Sequence, residues 1–206
     1  MATPKDLVVL TADSDAKAAL EALLARPADL GIRPIKFEVK KHNNRDNGCR
    51  TDAHNLLRPL VRDFRYCIVI FDYEGSGGEK QKSHEIETDV FTNMERNGWG
   101  ERAAVIVLRP ELEIWLWSES KQVGRVLGWA GRQPDLRTWL AEQGWLDQGA
   151  IKPQRPKEAF DAAIRAVGEP RSAALFGQLA QKVPVSTCVD PAFEKLKTTL
   201  QTWFPL

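Results

Sequence analysis

The chain has 206 residues, of which 43% are hydrophobic and 28% charged, and its formal net charge is +1. That length suits one domain, or one domain with a sizeable appendage, and the apolar share is enough for a core. The near-neutral balance excludes a strongly basic nucleic-acid-coating protein but leaves room for a local basic patch.

In chain order, "DLVVL" (Asp6–Leu10) reads as a short β-branched strand. Ala16, Ala19, Leu20, Leu23 and Leu24 then recur at helical spacing, with Asp13 or Ser14 placed to cap the helix. "RPADLGIRP" ends it with proline and glycine. "IKFEV" (Ile35–Val39) alternates like a strand near an edge, and "KKHNNRDNGCR" reads as a basic, polar loop. A helix is expected from about Thr51 to Phe64, with Pro59 as a kink. "YCIVIF" (Tyr66–Phe71) and "AAVIVL" (Ala103–Leu108) are near-continuous apolar runs, the pattern of strands buried on both faces. A charged helix, Ser83 to Asn97, lies between them, and "PELEIWLWS" opens another with Pro110 in its first turn.

The strand–helix alternation predicts an α/β fold: a mostly parallel sheet with helices on both faces, over residues 1–118. Residues 119–206 carry helical segments around Lys121–Leu127, Asp135–Gln143, Pro156–Val167, Ser172–Gln181 and Asp190–Trp203, an extension expected to pack on that core. Trp115, Trp117, Trp129, Trp139, Trp145 and Trp203 fall in or just before it and read as glue between helices and sheet. No apolar run is long enough for a membrane span, and "MATPKDLVVL" lacks a signal pattern, so a cytoplasmic location without membrane contact is expected. Cys49, Cys67 and Cys188 are far apart and show no C-x-x-C spacing, against a disulfide framework or a standard zinc site. His42, Cys49 and His54 lie close in sequence but lack zinc-ligand spacing.

In an open parallel sheet, ligands bind beyond the carboxyl ends of the strands. Three of the expected strands end in acids: Asp13 and Asp15 after the first, Asp72 and Glu74 after the third, Glu111 and Glu113 after the fourth. With the strand order 2-1-3-4 these acids meet in one pocket. Crowded carboxylates raise one another's pKa, and a hard divalent cation, Mg²⁺ or Mn²⁺, removes that cost. Each acid also has a plain structural reading: Asp13 and Asp15 as cap and first-turn acid, Glu111 and Glu113 as first-turn acids, Asp72 and Glu74 as turn formers.

"FDYEG" and the first-strand segment "LTADSDAKAAL" resemble the Toprim fold of topoisomerases, primases and nucleases of the overcoming-lysogenization type. In that family a D-x-D pair follows the third strand, where this chain has Asp72 and Glu74, and a glutamate follows the first, where it has Thr11; Asp15 keeps the trailing aspartate. "PELEIWLWS", "KPQRPKEAFDAAIR", "SAALFGQLAQKV" and "DPAFEKLKTTLQ" are similar to small bacterial Toprim-like proteins found beside anti-phage genes. "GCR", "DYEG", "NGWGERAA" and "LGWA" look most like a component of the methylation-associated defence system. The resemblance implies antiviral defence with other subunits of that system as partners.

Three functions are therefore in view. The first is a metal-dependent nuclease: Asp72, Glu74, Glu111 and Asp15 as Mg²⁺ or Mn²⁺ ligands, Asp72, Glu74 and Asp13 as catalytic acids, and Lys40, Lys41, His42, Arg45 and Arg50 on a nucleic-acid backbone, with His42 or His54 as proton shuttle. The second is a catalytically inactive scaffold binding defence proteins or DNA, which Thr11 favours. The third, a phosphate binder on the "GSGG" turn, lacks the lysine–hydroxyl ending of a P-loop.

Overall fold

The computed structural model describes residues 3–206. Among these, β1 (Lys5–Thr11), β2 (Phe37–Lys41), β3 (Phe64–Asp72) and β4 (Ala103–Leu108) form one all-parallel sheet in the order β2-β1-β3-β4. The connections carry α1 (Ser14–Leu24), the single turn α2 (Pro27–Leu30), α3 (Arg45–Leu57) and α4 (Ser83–Arg96). After β4 come α5 (Glu113–Leu116), α6 (Lys121–Val126), α7 (Leu136–Glu142), α8 (Pro156–Val167), α9 (Ala173–Lys182) and α10 (Pro191–Trp203). The architecture is α/β and Rossmann-like, and the topology puts the loops after β1 and β3 side by side.

Alternation along each strand divides the core in two. Leu7, Val9, Ile68, Ile70, Ile106 and Leu108 face α1 together with α8, α9 and α10, whose Phe160, Phe176, Leu179, Leu196 and Leu200 are buried in the same cluster. Val8, Leu10, Cys67, Val69, Phe71, Val105 and Val107 face α3 and α4, against Cys49, Ala53, Leu57, Ile86, Val90 and Met94. Each such side chain, fully buried, contributes roughly 1.5–3 kcal/mol. The C-terminal helices thus cover one side of the core together with α1 and share a single apolar cluster with β1, β3 and β4. Tyr66 of β3 stacks on Trp203 of α10 with ring centroids 4.4 Å apart. Trp115, Trp117 and Trp129 are buried, and their indole N–H groups donate to Asp190 Oδ1, the Pro156 carbonyl and the Ala163 carbonyl. They act as the expected glue. Trp139, Trp145 and Trp203 pack half-buried against the same cluster.

Four boundaries differ from expectation. The helix after β2 starts at Arg45, not Thr51, so Arg45 and Arg50 lie on α3 rather than in a loop. Its polar start has poor helix propensity, but Cys49, Ala53 and Leu57 lie four residues apart and are buried, so packing overrides propensity. Pro59 does not kink the helix: α3 ends at Leu57, and the proline sits in a 3₁₀ turn, Arg58–Leu60, where no i−4 bond is required of it. Strand β2 is shifted to Phe37–Lys41 because the ladder with β1 runs from Leu7↔Phe37 to Thr11↔Lys41; Lys40 and Lys41 are therefore strand residues. The helix after β4 is the short α5, and Pro110 lies in the turn before it.

Two helical glycines make opposite demands. A Cβ on Gly48 of α3 would stand 2.0 Å from Nδ1 of the buried His42 ring, whereas one on Gly177 of α9 would make ordinary contact, 3.6 Å from the Ala18 carbonyl oxygen. Gly177→Ala is expected to stabilise by about 0.5–1 kcal/mol through helix propensity. Gly48→Ala is expected to destabilise by roughly 2 kcal/mol, since overpacking outweighs the same gain. Urea midpoints for the two variants check the pair.

Candidate functional site

Parallel strands all end on one side, so the residues just past β1, β3 and β4 converge there. They meet the start of α3 and the starts of α5 and α8. The result is a cavity of about 480 Å³ lined, among the described residues, by seven carboxylates (Asp13, Asp15, Asp46, Asp72, Glu74, Glu111 and Glu113) and three cations (Arg45, Lys157 and Arg171). One oxygen from each of Asp72, Glu111 and Glu113 can be chosen so that all lie within 4.8 Å of one another.

Asp72 is the last residue of β3. Its Oδ1 accepts the Leu112 N–H at 2.9 Å, and its own N–H donates to Asp46 Oδ1 at 2.9 Å. No cationic side chain pairs with it among the described residues. Burial pushes its carboxyl well above the usual aspartate range, and the charges of Asp46, Glu113, Glu111 and Asp13 push the same way. Glu111 is 3% exposed; burial raises it from the ordinary 4.5 to about 7, with Glu113 adding and Lys157 opposing. Burial also raises Asp46 and Asp15, against the Asp72 N–H in the first case and Arg171 in the second. Asp72, Glu111, Asp46 and Asp15 thus sit in surroundings that resist their full ionisation.

Two cations from the C-terminal helices offset part of this. Arg171, in the segment between α8 and α9, donates through Nη2 to Glu113 Oε1 at 2.6 Å, through Nε to Asp15 Oδ2 at 3.0 Å and through Nη1 to Asp161 Oδ1 at 3.0 Å. Its guanidinium also lies 4.9 Å from the centroid of Phe176 and 5.5 Å from that of Phe160. Burial disfavours its charge, but Glu113, Asp161 and Asp15 more than compensate, and its pKa is raised. Lys157, in the first turn of α8, gives Glu111 both its backbone N–H (3.2 Å to Oε1) and its ammonium (3.3 Å to Oε2).

The expected residues are sorted by these contacts. Asp72 and Glu111 stand at the centre. Glu74 is exposed on the cavity wall and outside the close group, and Glu113 takes the place expected for it. The Glu74 N–H donates to the Pro110 carbonyl at 3.2 Å. Asp15 lines the cavity but is engaged by Arg171. Asp13 lines it too, while capping α1 through the Ala16 N–H at 2.9 Å. Thr11, at the position of the family glutamate, is buried in the cavity floor.

Of the five basic residues expected on a nucleic acid, only Arg45 lines the cavity. It holds a left-handed backbone, φ 48°, which costs a non-glycine residue on the order of 1 kcal/mol. Lys40 pairs with Glu38, Lys41 reaches Ser14 Oγ at 3.3 Å, and Arg50 donates to the Ser76 carbonyl at 2.7 Å. His42 is buried against Gly48, its Nδ1 accepting the Asn44 N–H, so it is not placed to shuttle protons in the cavity; His54 does not line it either. Among the described residues His42, Cys49 and His54 form no metal-capable group. The glycine turn offers no phosphate cradle, because the N–H groups of Gly75 and Gly77 are taken by Glu79 Oε1 at 2.8 and 3.1 Å.

Asp46, Lys157 and Arg171 were not anticipated. Asp46 sits in the first turn of α3, in a stretch whose local sequence reads as loop, and Lys157 and Arg171 reach the cavity only through tertiary packing. Among the described residues no helix is long and apolar enough to cross a membrane. Comparison with known protein families, curated proteins and solved structures finds no match.

Two outcomes follow from the electrostatics. A carboxyl whose pKa is raised on folding binds its proton more tightly in the folded state, so stability is intact below the unfolded value and falls as pH rises through the folded one. For Glu111 the window is 4.5 to about 7. Unfolding free energy is expected to fall between about pH 5 and pH 7.5, and Glu111→Gln to flatten the slope, as urea titrations at the two values would show. Arg171→Ala strands the buried Glu113 beside Asp15 and is expected to cost roughly 3 kcal/mol or more. Arg155→Ala, which breaks an exposed pair with Glu158, should cost below about 1 kcal/mol in the same assay.

Proposed function

We propose that this protein is a Toprim-like component of a bacterial anti-phage system of the methylation-associated kind, and that its acidic cavity binds Mg²⁺ or Mn²⁺ for phosphodiester hydrolysis. The observation that carries the metal reading is Asp72: a strand-end carboxylate surrounded by other acids, with no cationic side chain paired to it among the described residues. Asp72, Glu111 and Glu113 are an all-oxygen donor set, the kind hard divalent cations take. A bound ion would activate water and stabilise charge on the phosphate in transit. Asp46 braces the Asp72 backbone and the Leu112 N–H orients its carboxylate, so the chain positions this ligand from both sides. The defence role rests on the sequence resemblance alone.

A second reading, an inactive scaffold that binds defence partners or DNA, has its own support. Thr11 cannot act as the family glutamate does, and Arg171 already neutralises Glu113 and Asp15.

Asp72→Asn separates the two. It keeps the acceptor for the Leu112 N–H while removing the charge. Without metal the variant is expected to melt higher than the wild type, because a repelled, desolvated charge is gone. With Mn²⁺ at about 100 times its Kd, the wild type should gain about 2.7 kcal/mol and the variant almost nothing. Metal-dependent cleavage of DNA or RNA by the wild type and its loss in the variant would establish the nuclease. Full phage protection by Asp72→Asn in cells would instead favour the scaffold.

A further inference from the structure

The three cations on the cavity are held in different ways. Arg171 is bonded on all sides by Asp15, Glu113 and Asp161 and flanked by Phe160 and Phe176, so it is a fixed part of the wall. Arg45 is exposed and has no ion-pair partner among the described residues. Lys157 is between these extremes: its side chain is half-exposed, and among the described residues its ammonium is paired with one group, Glu111, at 3.3 Å. Glu111 is 3% exposed and is also one of the three carboxylates able to share a metal ion.

One carboxylate therefore faces two cations, one resident and one incoming. We propose that Lys157 is a phosphate-binding residue uncovered by the metal: when a divalent ion takes the Glu111 carboxylate, the Lys157 ammonium is released to bind a phosphodiester of the nucleic-acid backbone. This rests on the metal reading above. Before metal binds, the Lys157–Glu111 pair is neutral, Arg171 holds Asp15 and Glu113, and the cavity acids without an ion pair among the described residues, Asp13, Asp46, Asp72 and Glu74, repel a polyanion. Afterwards the same wall presents the ion and a free ammonium side by side, the pairing that holds phosphate oxygens best. A lysine suits this exchange, since its single point charge on a flexible stem can turn from Glu111 to a ligand without breaking a bidentate fork. Nucleic acid would be admitted only to the metal-loaded cavity.

The test uses the full chain with two direct binding readouts and no turnover. Mn²⁺ affinity is measured by titration calorimetry. Binding of a fluorescein-labelled single-stranded DNA with phosphorothioate linkages, which resists cleavage, is measured by anisotropy with and without Mn²⁺. Lys157→Ala is expected to bind Mn²⁺ more tightly, because a competing cation is gone, and to lose roughly tenfold or more in DNA affinity with Mn²⁺ present. Without Mn²⁺ its DNA affinity should equal that of the wild type. Lys157→Arg, which keeps the charge, should retain part of the Mn²⁺-dependent DNA affinity, and the dependence on Mn²⁺ is what a purely structural role would not produce. Arg45→Ala, removing a cation that no carboxylate holds, should weaken DNA binding by the same factor with and without Mn²⁺. If Mn²⁺ binds the wild type but Lys157→Ala leaves DNA affinity unchanged, or lowers it equally without metal, the proposal is overturned and the metal site stands. If Mn²⁺ does not bind the wild type, both fall.

Discussion

Like charges brought together out of water repel, and this one constraint organises the carboxyl edge of the sheet. Parallel topology forces the loops after β1, β3 and β4 to converge, and each delivers acids. Among the described residues, no cation from the first half of the chain forms an ion pair with them, although Arg45 lines the cavity. The counter-charges come from α8 and from the segment that follows it, where Lys157 meets Glu111 and Arg171 meets Glu113 and Asp15. Asp72 is left with neutral backbone donors and acidic neighbours. The cavity is a compromise in which some of the repulsion is cancelled internally and the remainder is concentrated on one residue.

The same helices answer a second demand. A parallel sheet must be covered on both faces, since its strands are apolar on both. Helices α3 and α4 cover one side, and α1 alone is too small for the other. Phe160, Phe176, Leu179, Leu196 and Leu200 complete that side. Core and cavity therefore depend on the same segments. The division at residue 118 is a change in sequence character that the packing does not respect.

What could be read in advance follows from the range of the interactions involved. Strands β1, β3 and β4 were legible because burial on both faces leaves a continuous apolar signature. The C-terminal helices were legible because their periodicity is local. The start of α3 was not, since "RDNG" is locally turn-like and becomes helical only when Cys49, Ala53 and Leu57 find the sheet. Within the cavity, Asp72 and Glu111 could be placed by their position after strands. Glu74 could not be told from Glu113 in advance, because which carboxylates come within 4.8 Å of Asp72 and Glu111 is set by how the loops after β3 and β4 pack together. Lys157 and Arg171 are 46 and 58 residues from the acids they meet, a separation at which no local pattern helps.

The hold of α3 on the glycine turn has a mechanical consequence. Asn47 and Arg50 both donate to the Ser76 carbonyl, Asp46 receives the Asp72 N–H, and Ser76 is fully buried. One helix thus grips the segment after β3 at two points, on either side of Glu74. The backbone carrying Asp72 is clamped like a beam fixed at both ends, and a ligand entering the cavity would find its floor stiff. Compliance is left to the wall opposite, where the half-exposed side chain of Lys157 hangs from a single helix.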